Sequence, residues 1–84
     1  MNGADEWRPF LRGIVGTGGD IVDVARAIRA YGGDGQYIQA AAALREEFGL
    51  AISEALKVVG WAEGTVDDES SLERLRAAVR TPLS

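Results

Sequence analysis

The chain has 84 residues and contains neither histidine nor cysteine, so any chemistry must rest on carboxylates, arginines and a few aromatic side chains. Composition alone excludes zinc sites built on Cys or His, disulfides, thiol nucleophiles and a Ser-His-Asp relay. The densest set of reactive groups lies between Glu46 and Glu73. There Glu46, Glu47, Glu54, Glu63, Asp67, Asp68, Glu69 and Glu73 face Lys57 alone, a local charge of −7. Paired carboxylates can act as general acid and base or hold a hard cation, but either use needs a concave pocket with tuned proton affinities. A domain of this size has little room for such a pocket. The expectation is a protein without enzymatic activity, with no metal and no cofactor.

The non-catalytic use of the same groups is an acidic face that meets a basic partner surface, where charge steers encounter and sets specificity. Glu46, Glu47, Glu54, Glu63, Asp67 and Asp68 are its candidate residues. The alternative is a solvated face with no partner. Glu46 and Glu47 point toward a site, because they occupy the last turn of a predicted helix, where the helix dipole disfavours negative charge. A local rule broken without a visible compensation marks a place to look.

Three smaller features carry weaker signals. Gly16-Thr17-Gly18-Gly19 precedes a helix and could cradle phosphate with backbone N–H groups. It holds no Lys or Arg, and Asp20 would repel an anion, so a helix connection is the favoured reading. Tyr31 and Tyr37 flank the turn Gly32-Gly33-Asp34-Gly35, and paired tyrosines on an adaptable loop suit recognition. Their alternative is ordinary packing with the hydroxyls in water. Trp61 is a residue type favoured at binding hot spots; it falls off the expected apolar stripe of its helix, so it is placed at the edge of the core.

These groups need helices to position them. Trp7, Phe10, Leu11, Ile14 and Val15 recur at helical spacing, with Pro9 expected near the first turn. Asp20 with Asp23 three residues later forms an N-terminal capping pattern for a second helix, whose stripe is Ile21, Val24, Ala25, Ile28 and Tyr31. Asp34 can cap a third helix carrying Tyr37, Ile38, Ala40, Ala41, Leu44 and Phe48. Its alanines make it thin, hence central, and Gly49 suits its end. Leu50, Ile52, Ala55, Leu56 and Val59 are the expected inner face of a fourth, softly interrupted at Gly60 and ending at Gly64. A fifth begins near Asp67-Asp68-Glu69, with Leu72, Leu75 and Val79 as its stripe and Pro82 as its stop. No period-2 strand is evident. The fold expected is all-α, a compact bundle of about five short helices joined by Gly-rich turns, as one domain over residues 1–84. Trp7, Phe10, Leu11, Ile14, Ile21, Val24, Ile28, Leu44, Leu56, Val59, Leu72 and Leu75 should dominate its core.

Composition bounds the partners. Nine basic residues against 13 acidic ones give a net charge of −4, which argues against a nucleic-acid partner. Hydrophobic residues make up 46%, of which 13 are Ala, leaving 26 larger apolar side chains for one core close to the lower size limit for folding unaided. A monomer or a small homo-oligomer fits that limit. No apolar run approaches a membrane span, and Met1 to Glu6 lack the basic start of a signal peptide, so a cytoplasmic location is expected. The bias toward Ala, Gly and Arg points to a bacterial, GC-rich origin.

Residues 44–59 resemble two known hairpins, the second resemblance extending over residues 38–59. With Gly49 as the turn glycine and Leu50 buried after it, they resemble the helix-turn-helix of DNA-binding regulators. That resemblance implies a recognition helix, which here would offer Ser53, Glu54 and Lys57. They also resemble the hairpin in the C-terminal domain of the bacterial ribosomal stalk protein, through Ile38, Leu44, Arg45, Gly49, Leu50, Ile52, Glu54, Ala55 and Val59. Gln39 and Leu56 stand where that family carries basic residues that contact translation factors, so the resemblance implies a tight helical hairpin without ribosomal function. Three functional expectations follow. The first is an acidic protein-interaction module, acting as an immunity-like or antitoxin-like inhibitor or as an adaptor subunit, with a basic protein partner. The others are an atypical helix-turn-helix regulator and a helical self-assembly or docking element.

Overall fold

The computed structural model describes residues 3–32 and 36–83. Its five helices are α1 (Ala4–Gly16), α2 (Ile21–Tyr31), α3 (Tyr37–Phe48), α4 (Ile52–Gly64) and α5 (Glu69–Ala78). No strand occurs among the described residues. The chain is thus an all-α bundle, as its apolar periodicity requires.

Local chemistry sets most helix ends. Asp20 accepts hydrogen bonds from the N–H groups of Val22 and Asp23, and the Asp23 carboxylate accepts one from the N–H of Asp20. This closed capping box satisfies donors that the first turn of α2 cannot pair internally. Asp68 and Ser71 repeat the device at α5. The α1–α2 turn needs glycine for a steric reason. A side chain at Gly19 would bring its Cβ to 2.7 Å from both the Ile14 carbonyl oxygen and the Ile14 side chain. Gly49 ends α3 in the left-handed region, at φ 70°, and donates its N–H to the Arg45 carbonyl. The cap of α3 expected from Asp34 falls outside the described residues; Gln36 occupies the N-cap position and makes no side-chain cap.

Pro9 departs from expectation. It lies inside α1, beyond the first turn. Lacking an N–H, it leaves the Asp5 carbonyl without its usual donor four residues on. Pro9 and Asp5 are both exposed, so solvent can take that carbonyl.

Packing follows the thin alanine face. α3 lies between α1 and α4, α2 packs on α4, and α5 closes against α2 and α4. Ala40 and Ala43 are fully buried in α3, and small side chains let neighbouring helices approach. Trp7, Leu11, Val24, Ile28, Leu44 and Val58 are the largest completely buried side chains. Phe10, Ile14 and Leu72 pack against this core while half-buried.

α4 is rotated relative to the face expected for it. Leu56, assigned to the core by spacing, is 56% exposed, and Ile52 is 59% exposed. The buried face is instead Ala55, Val58, Val59, Trp61 and Ala62. The reason lies in side-chain continuity. The stripe Ile52-Leu56 is broken at its next position by Gly60, which has nothing to bury. The stripe Ala55-Val58-Val59-Ala62 continues unbroken, and Trp61 widens it toward α5. Ile38 likewise points outward from α3 and is exposed.

Candidate functional site

The acidic residues between 46 and 73 have different tertiary partners. Several are committed to holding helices together. Glu47 accepts from Arg8 Nε at 3.3 Å and from Arg12 Nη2 at 3.0 Å, and Arg12 Nε also bonds it. Its side chain is only 12% exposed. The Arg12 guanidinium holds the Glu47 carboxyl below the usual carboxylate range, with Arg8 adding to the effect. The compensation missing from the sequence pattern is therefore tertiary: two α1 arginines neutralise a carboxylate at the α3 C-terminus. Glu46 stays exposed, with Arg8 Nη1 4.0 Å from it.

Glu54 is drawn to the C-terminal segment. Its carboxylate accepts from the Thr81 hydroxyl at 2.7 Å, the Ala51 N–H at 2.9 Å, the Thr81 N–H at 3.0 Å and the Arg80 N–H at 2.7 Å. The Thr81 hydroxyl, followed by these backbone donors, lowers its pKa to about 2. Asp67 forms a two-pronged pair with Arg26 of α2, at 3.0 and 3.1 Å, and this hydrogen bonding lowers its pKa. Asp68 caps α5. Only Glu63, of the acidic candidates, is exposed on a helix surface with no ion pair among the described residues.

The aromatic candidates separate. Tyr31 is 62% exposed and sits edge-on to Phe10, with ring centroids 5.3 Å apart. Tyr37 is half-buried against the core, so the two tyrosines do not form one exposed pair. The middle of the turn between them, Gly33-Asp34-Gly35, is outside the described residues. Trp61 is 4% exposed, a core residue and not an edge one. Its Nε1–H donates to the Ser71 hydroxyl at 3.2 Å, and Arg29 lies over its ring. Ser71 is itself buried and also accepts from the Asp68 N–H. Ser71→Ala should cost about 1–3 kcal/mol, because the buried indole N–H loses its acceptor. Urea unfolding checks this, and the penalty should shrink when Trp61→Phe removes the donor as well.

The Gly16–Gly19 turn does not offer free donors. Thr17, Gly18 and Gly19 give their N–H groups to carbonyls of Gly13, Val15 and Ile14. The turn is a helix ending, and its N–H groups do not form an anion cradle. No group of three or more acidic residues converges to hold a metal ion among the described residues. No described helix is long and apolar enough to cross a membrane.

One surface feature was not visible in the sequence. A groove of about 410 Å³ runs between α4 and α5. Leu56, Gly60 and Trp61 form it from one side, Leu75 from the other, and Lys57 and Arg74 border it. Its sequence trace is slight: the chain's only lysine one turn from a helical glycine. A second hollow of about 330 Å³ lies where Val79 and Leu83 of the C-terminal segment cross the α1–α2 turn. No family model matches the chain, and neither a curated protein nor a solved structure matches it.

Proposed function

We propose that this chain is a non-catalytic protein-interaction module that docks through the outer face of α4. One observation carries the reading. Ile52 and Leu56, one helical turn apart, expose more than half their surface, and Leu56 lines the α4–α5 groove. Fully burying a side chain of this kind contributes about 1.5–3 kcal/mol, so two of them give a partner a worthwhile anchor. An apolar pair with one member lining a groove also suits helix-in-groove recognition. An inhibitor and an adaptor subunit both work through such a surface.

The basic-partner form of this reading is narrower than the sequence pattern implied. Glu47, Glu54, Asp67 and Asp68 are bonded within the fold. Glu46, Glu63, Glu69 and Glu73 remain as its exposed carboxylates. Photo-crosslinking separates the two forms. A benzoylphenylalanine placed at Leu56, Glu63 or, as a control, Arg45 is expressed in the native host, and adducts are identified by mass spectrometry. The expected result is a specific adduct from position 56 and none from 45. An adduct from 63 alone would move the docking face to the acidic residues, and no adduct from either would remove the interaction reading.

A further inference from the structure

The α4–α5 groove has a charge pattern that specifies its occupant. Its apolar lining is Leu56, Trp61, Leu75 and Ala78, with Thr65 and Ser71 as its neutral polar members. Gly60 leaves it open, with no heavy atom within 4 Å of where a Cβ would stand. Lys57 and Arg74 border it, both exposed and neither in an ion pair among the described residues. Arg8, Arg12, Arg26 and Arg29, by contrast, are each bound to a carboxylate or to backbone carbonyls. No acidic residue lines the groove. A chain of net charge −4 thus carries a local +2 around an apolar cleft.

We propose that this groove receives an amphipathic helix of a partner protein whose apolar anchors are flanked by Asp or Glu. The inference rests on the docking reading above and names the chemistry of the partner. Apolar anchors would fill the space over Gly60 and Trp61, and flanking carboxylates would meet Lys57 and Arg74. The cleft holds a few side chains and not a folded domain, which suits a single helix. A second copy of the chain matches it less well. On α5, Glu69 and Glu73 share the helix with Arg74 and Arg76, so that helix does not offer apolar anchors bordered by acids alone.

The test uses the full ¹⁵N-labelled chain and synthetic helical peptides of about 16 residues, long enough for four turns. One peptide carries a leucine stripe flanked by Glu. A second replaces each Glu by Lys, and a third keeps the Glu composition but scatters the leucines. The first should shift the amide signals of Lys57, Gly60 and Arg74 and the Trp61 indole signal. Lys57→Glu/Arg74→Glu should weaken it about tenfold or more and turn the preference toward the Lys peptide. Both side chains are exposed and unpaired, so circular dichroism should show an unchanged fold. Gly60→Leu, which plugs the cleft and improves helix propensity, should weaken the same peptide with both charges intact. The proposal is overturned by absence of binding, by equal binding of the Lys or scattered peptide, by shifts elsewhere, or by insensitivity to these variants. Self-association that shifts the same amides would make a second copy the occupant and also overturn it. A crosslink from position 56 with no binding of the Glu peptide would leave docking standing and reject this partner chemistry alone.

Discussion

Arg29→Ala is expected to lower stability by about 3 kcal/mol, from hydrogen bonds to a charged group at roughly 1.5–3 kcal/mol and a cation–π contact at about 1. The side chain leaves α2 and reaches the end of α4, where the Trp61 carbonyl already accepts from the Thr65 N–H and the carbonyls after it lack intrahelical donors. Arg29 Nη2 donates to the Trp61 carbonyl at 2.9 Å and to the Thr65 carbonyl, and Nε lies 3.4 Å from the Ala62 carbonyl. The guanidinium carbon stands 4.1 Å over the Trp61 ring. One cation thus caps α4, interacts favourably with the negative end of its dipole and clamps the indole that meets α5. The contributions are not additive, because alanine lets water reach some of the freed carbonyls. For a domain of this size the loss corresponds to roughly 15 °C in unfolding midpoint, at about 4–8 °C per kcal/mol. Arg29→Lys should recover only a small part, since an ammonium cannot span three carbonyls as a planar fork does. Thermal and urea unfolding followed by circular dichroism measure both variants. A loss below about 1 kcal/mol would show that the junction is held by packing and not by the cap.

The junction also shows where sequence reading stops. The Asp20–Asp23 box was legible because its chemistry closes within four residues. The Glu46–Glu47 pair was legible as an anomaly, but its resolution was not. Arg8 and Arg12 stand more than thirty residues away in sequence, and only the packing of α1 on α3 brings them to Glu47. The same distance hides Arg26 from Asp67 and Arg29 from the end of α4. The local charge of −7 therefore suggested an acidic face where the fold uses much of that charge as internal ties. On α4, periodicity offered two overlapping stripes. A core position for Leu56 would hide the exposed outer face of α4, because one glycine decides between them and its effect depends on where α5 lies. The groove needs two helices in register, and no single segment encodes it.

Acidification should loosen those internal ties. Glu47, Glu54 and Asp67 are all held below their ordinary carboxylate values in the folded chain. An unfolded carboxylate titrates at about 4 and so binds its proton at a higher pH than the folded one. Each group therefore contributes stability that is fully present above the unfolded value and lost as pH falls through the folded value. The expected profile is level from about pH 8 down to about 5.5, because the chain has no histidine or cysteine side chain to titrate there. Stability then declines below roughly pH 4.5, and the Glu54 part continues to fall until pH reaches about 2. Glu54→Gln separates that part. The amide can still accept hydrogen bonds but has lost the charge that four donors converge on, so the variant should be the less stable protein at neutral pH. Its curve should approach the wild-type curve on acidification, and the gap should be smallest near pH 2, where the wild-type carboxyl is also becoming protonated. Urea midpoints measured across this range at constant ionic strength give both curves. Parallel curves would mean that Glu54 has the same proton affinity folded and unfolded, and that the contacts from Ala51, Arg80 and Thr81 do not hold its charge. Converging curves would make the C-terminal segment a charge-held strap on the N-terminus of α4, the helix whose outer face carries the proposed docking surface.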